Sequence, residues 1–125
     1  MAGYKAAIMD LAAKNSNFRK VLFTAAGGQL VVMSLKAREE IGMEVHEDVD
    51  QFFWIVKGSA KTVLNGEEST LGEGEVLIVP RGTLHNIINA DNRCALKLFT
   101  VYTPPNHPDG TVHKTKADAE AAEYH

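Results

Sequence analysis

A chain of 125 residues with 45% hydrophobic and 23% charged side chains has the make-up of a folded domain. It is long enough to bury one core and too short to divide comfortably into two. Lys and Arg number 13 against 16 Asp and Glu, a formal charge of −3, and they form no stripe, which argues against nucleic acid or an anionic membrane surface as the main partner.

No apolar run approaches the length of a membrane span, and Asp10 interrupts Ala6-Ala-Ile-Met9 before a secretory core forms, so a cytoplasmic protein is expected. Residues 4–14 are Ala-rich, with Ile8 and Leu11 spaced to share a face, and predict a short helix. From Val21 the signal becomes β. Val21–Thr24 and Leu30–Leu35 are β-branched runs on either side of the turn signal Gly27-Gly28. Gln51–Val56 and Val76–Val79 are apolar on both faces, as in strands covered on both sides. Between them, Ala60–Leu64 and Glu67–Leu71 flank Asn65-Gly66, a hairpin signal. Ile87-Ile88 and Cys94–Tyr102 supply two further strands around Ala90-Asp-Asn-Arg93. The lone Cys94 cannot form an intrachain disulfide, and its apolar neighbours predict a small buried hydrophobe. Short, regularly spaced strands without βαβ alternation predict an antiparallel barrel or sandwich. Beyond Tyr102 the prolines at 104, 105 and 108 exclude a central strand. Thr115 and Asp118 then resemble a capping box opening a helix over 116–124.

The chemistry concentrates in Glu44, His46, Gln51 and His85, two imidazoles and two oxygen donors of the kind that suit a divalent transition metal. Strand alternation puts Glu44 and His46 on one face and turns Met43 and Val45 away. Gln51 heads a strand whose Phe53 and Ile55 share its side. His85 lies 39 residues beyond His46, just past Pro80-Arg-Gly82. Donors from three separate segments converge only if the sheet closes on itself, and the mouth of a small barrel is a usual place for a ligand.

The segments carrying these donors resemble the paired motifs of the cupin superfamily. Gly74, five residues, Pro80, one, Gly82, two, His85, three, Asn89 fits the second motif throughout. The first motif fits in spacing and departs in identity: cupins typically carry His-x-His, three or four residues, Glu, six residues, Gly, whereas here the positions read Glu44-x-His46, four residues, Gln51, six residues, Gly58. The match spans roughly residues 42–89. The resemblance implies an all-β fold, an antiparallel jelly-roll barrel over residues 20–103. A helical arm over 1–19 and a Pro-rich tail with a short helix over 104–125 flank it. It also implies that Glu44, His46, Gln51 and His85 hold the metal. Relative to the usual three histidines and one carboxylate the site charge is unchanged, but one imidazole becomes a carboxylate and the carboxylate becomes an amide carbonyl. Harder, oxygen-tolerant ions such as Mn²⁺, Fe²⁺ or Zn²⁺ follow. The plainer alternative makes the histidines hydrogen-bonded core residues and Gln51 a hairpin fastener; two histidines placed by two separate motifs argue against it. A register pairing His46 with Asp48 would put a phenylalanine at the family's glutamate position.

Gly58, Gly82, Pro80 and Asn89 read as backbone and turn residues. Tyr102 shares a strand face with Leu96 and Leu98, so its hydroxyl reaches the cavity or the rim. His107 and His113 bracket a Pro-rich segment of the sort that forms lids, and Tyr102 and His107 are taken as the catalytic pair. His125 is discounted as a chain end. Phe52, Trp54 and Val56 form an outward apolar row whose simplest cover is a second copy, so a homodimer is expected. Related single-domain cupins include dioxygenases, decarboxylases and phosphomannose isomerase-like proteins. The expected function is therefore a metalloenzyme acting on a small molecule. A non-catalytic metal-dependent binder and a metal-free sugar epimerase or lyase using His46 or His85 as base are the alternatives. Arg81 is the sole basic residue inside the second motif, with Arg38 and Lys97 of unknown orientation, so a phosphorylated sugar is not supported.

Overall fold

A computed structural model describes residues 2–123. In chain order the elements are α1 (Ile8–Lys14), β1 (Arg19–Thr24), β2 (Gln29–Leu35), β3 (Asp50–Lys57), β4 (Ala60–Leu64), β5 (Glu67–Leu71), β6 (Val76–Val79), β7 (His85–Asn89), β8 (Leu96–Thr103), β9 (Val112–His113) and α2 (Lys116–Glu123). The strands form a sheet in the order β6-β3-β8-β2-β1-β9 and a smaller one in the order β5-β4-β7, antiparallel at every pairing. This is the all-β antiparallel jelly roll, with short terminal helices.

Strict alternation in β3 and β8 builds the wall of the core. Gln51, Phe53 and Ile55 stand opposite Tyr102, Thr100 and Leu98, and all six are buried. Phe53, Ile55, Leu98 and Tyr102 join Met33, Ala60, Leu71 and Ile87 in one hydrophobic cluster drawn from both sheets. The smaller sheet gains an irregular fourth member from the segment before β3. Glu40 bridges Ile88 and Glu44 bridges His85, so four steps on one segment match three on the other. The extra residue is accommodated near Gly42, whose φ of 108° is open to glycine and strained for other residues. That bulge sets which residues of the segment face inward: Glu44 and His46 do, while Met43 and Val45 are exposed.

The hairpin expected at Asn65-Gly66 forms with both residues at positive φ (48° and 83°), the requirement of a tight two-residue turn between twisted strands. Thr115 Oγ1 accepts from the Asp118 N–H at 3.1 Å and opens α2, so the capping signal acts where expected. The end of the helix expected over 116–124 and the discounted His125 lie outside the described residues. Helix α1 lies against β8, β2 and β3, and Lys97 fastens it by donating to the Asn15 carbonyl. Among the described residues no helix is long and apolar enough to cross a membrane.

Two expectations are corrected. Val76–Val79 is not covered on both faces: β6 is a sheet edge, and Val76 and Ile78 are exposed (45% and 52%). Cys94 is exposed rather than buried. It belongs to the turn before β8, where its carbonyl accepts from Asn89 Nδ2 and its N–H donates to Asp91 Oδ1, so backbone bonds rather than side-chain burial place it. The tail also holds a short strand beyond its prolines: β9 pairs with the start of β1 at the edge of the larger sheet, in keeping with the exclusion of a central strand.

Candidate metal centre

One donor atom each from Glu44, His46 and His85 lies within 4.8 Å of the other two. Glu44 Oε1 is 3.4 Å from His46 Nε2 and 3.6 Å from His85 Nε2. Those separations are too long for good hydrogen bonds. They lie at or slightly beyond the roughly 3.0–3.4 Å edge between donors that share an ion at about 2.1 Å. Accordingly both Nε2 atoms are buried without a hydrogen-bond partner among the described residues. Buried polar atoms in folded proteins nearly always have partners, so two imidazole nitrogens left open beside a carboxylate fit a cation.

Local structure prepares each donor. His85 opens β7, and its Nδ1 is 2.9 Å from the Thr83 carbonyl, which fixes the proton on Nδ1 and leaves Nε2 its lone pair. Reciprocal backbone bonds of 2.9 Å between Glu44 and His85 lock their segments together. The Gly82 N–H donates to the His46 carbonyl at 2.7 Å, and Arg81 clasps Asp50 at the start of β3. The Pro80–Gly82 turn thereby ties all the donor-bearing segments together. Arg81 is thus engaged at the surface. Burial works to raise the Glu44 pKa, but the two imidazoles beside it outweigh that and hold it down to about 2. Burial lowers the His85 pKa, and Glu44 together with the Thr83 carbonyl outweighs it, so the net shift is upward.

Gln51 is 1% exposed and donates from Nε2 to Thr100 Oγ1 at 3.0 Å. That bond fixes the amide, and its Oε1 is a third buried atom without a partner among the described residues. Tyr102, opposite Gln51 in register, presents its ring edge to His46, with centroids 6.0 Å apart. Its hydroxyl meets His107 Nε2 at 3.2 Å. Burial drives the phenol up to about 12. Burial and then the charge of Arg19 drive His107 down to about 3. Both groups are therefore uncharged at neutral pH.

The segment expected to behave as a lid is fastened. Buried Gln29 accepts from the Asn106 and His107 N–H groups at 3.2 and 3.0 Å and donates to the His107 carbonyl at 2.7 Å. His113 sits on β9 opposite Arg19, and Arg19 Nη1 is 3.3 Å from its Nδ1. Sequence reasoning missed Gln29 and Arg19. The signal for Arg19 was alternation, since it stands two residues before inward-facing Val21.

The chain belongs to the cupin family: the cupin-domain family model matches residues 31–102. It is 45% identical to the uncharacterized protein YrkC of Bacillus subtilis, covering 88% of this chain and 62% of that protein. It is 32% identical over 77 residues to the tetracenomycin polyketide synthase protein TcmJ of Streptomyces glaucescens, covering 62% of this chain and 52% of that protein. The crystal structure of BH2720 from Bacillus halodurans aligns with a TM-score of 0.92 and 35% identity, over 94% of this chain and 93% of that one. The chain spans just under two thirds of the length of the first curated relatives it matches (62% and 64%).

Proposed function

We propose that this cupin is a metalloenzyme acting on a small molecule. In this reading Glu44, His46 and His85 hold a divalent ion, with the Gln51 carbonyl oxygen as a weaker fourth donor. The observation that carries it is the pair of buried, unpartnered Nε2 atoms flanking the Glu44 carboxylate. A bound Mn²⁺, Fe²⁺ or Zn²⁺ would supply a Lewis acid for a substrate oxygen. Within the chain, the Thr83 carbonyl keeps the His85 lone pair aimed inward, and Thr100 keeps Gln51 from rotating. Tyr102, with His107 behind it, holds a proton at its hydroxyl beside the His46 ring and serves as the acid that delivers it to substrate. That TcmJ is named for a polyketide synthase is compatible with small-molecule chemistry.

Protein purified without added metal is expected to carry about one transition-metal ion per chain by elemental analysis, and H46A and H85A are each expected to reduce it to background. Unchanged metal in both variants would remove the donor assignment. Turnover by the loaded wild type that is lost in Y102F separates an enzyme from a binder.

A further inference from the structure

We infer that Arg19 is the anchor for a carboxylate group, and that the ligand of this cavity is a small monocarboxylate, an inference that rests on the metal-centre reading above. Arg19 is 5% exposed, and no carboxylate lies within ion-pairing distance of it among the described residues. Buried guanidinium groups are normally paired with an anion. Here the neighbours are the His113 imidazole, the Tyr102 hydroxyl and the Phe18 ring 5.3 Å below, and Nε is buried without a hydrogen-bond partner among the described residues. A planar fork held from behind, with a donor left open, is the arrangement that receives a carboxylate.

Space lies where that reading requires it. A cavity of about 400 Å³ is lined by Arg19 together with Gly42, Met43 and Glu44, and so borders both the arginine and one residue of the candidate metal centre. A second cavity, of about 250 Å³, adjoins Arg19 on the side of His107 and His113. The larger volume lies within the range of small-molecule pockets. Its charges decide the class of anion. Lys116 and Glu120 also line it and pair with each other at 3.9 Å, which leaves Arg19 as the available cation of the lining. The single guanidinium matches a singly charged carboxylate in a bidentate pair and leaves the second charge of a dianion such as phosphate without a partner. A monocarboxylate seated on Arg19 would direct the rest of its skeleton along the cavity toward Glu44.

The test titrates metal-loaded, ¹⁵N-labelled protein with acetate, benzoate and inorganic phosphate in separate series, following the Arg19 Nε–Hε resonance. A saturable shift with benzoate or acetate is expected, with phosphate producing none. R19M is expected to bind benzoate at least about tenfold more weakly while retaining its metal, and R19K to recover part of the loss. No saturable shift, equal affinity in R19M, or phosphate binding as tightly as benzoate would overturn the inference. If R19M fails to fold, the wild-type resonance decides alone. Failure of the metal reading shows separately, as unchanged metal content in H46A and H85A whatever benzoate does.

Discussion

Proton competition at His85 ties the proposed metal centre to pH. Only the neutral imidazole offers Nε2 to a cation. Because Glu44 and the Thr83 carbonyl raise the His85 pKa above its ordinary value, the protonated form accumulates at a higher pH than in a free imidazole. Metal affinity is therefore expected to fall as pH drops through that raised value. Chelator competition between about pH 8 and about pH 5 measures it, and a flat profile would count against His85 as a donor. The candidate donors were legible in the sequence because each sits at a motif position with strict spacing. What was not legible is the set of groups that aim them. Thr83 acts through a backbone carbonyl and Thr100 through a hydroxyl on a strand distant in sequence, so neither leaves a local pattern. Arg19 did leave one, the two-residue step to Val21, but a charged residue at the head of a strand reads as a solvated end until its burial is known.

At the scale of elements, Gln29 illustrates how one buried side chain replaces a stretch of regular pairing. The tail between β8 and β9 carries three prolines and cannot join a ladder, so the Gln29 amide satisfies its backbone instead, taking two N–H groups and one carbonyl. Q29A leaves those groups without partners and is expected to lower stability by about 2–3 kcal/mol in urea denaturation. It is also expected to make residues 104–110 a preferred site of limited proteolysis, and unchanged cleavage would mean the segment is held by other contacts. Most strands were readable because hydrophobic alternation and turn chemistry agree, as at Asn65-Gly66. The misreadings came where neighbours decide. Val76–Val79 looks like a central strand by composition, yet an edge position leaves its alternate side chains in water. β9 is two residues long, below the length at which alternation carries a signal.

For the molecule as a whole, the outer face of the larger sheet bears on assembly. Phe52, Trp54 and Phe99 stack there, with centroids 6.0 and 4.9 Å apart, and register places exposed Ile78 and Val76 beside Phe52 and Trp54. Helix α1 covers part of this sheet and leaves the β6 edge open. A homodimer that buries this apolar row is expected at micromolar concentration, and I78E is expected to shift it to monomer in size-exclusion chromatography. Wild-type protein eluting as a monomer would refute it. The exposed Cys94 has a practical consequence. It lies in the turn at the Asn89 end of β7, whereas His85 opens the other end of that strand. The sole thiol of the sequence is thus a ready attachment point for a fluorophore or spin label, from which loading of the barrel mouth can be followed at a distance without altering any of the groups that shape it.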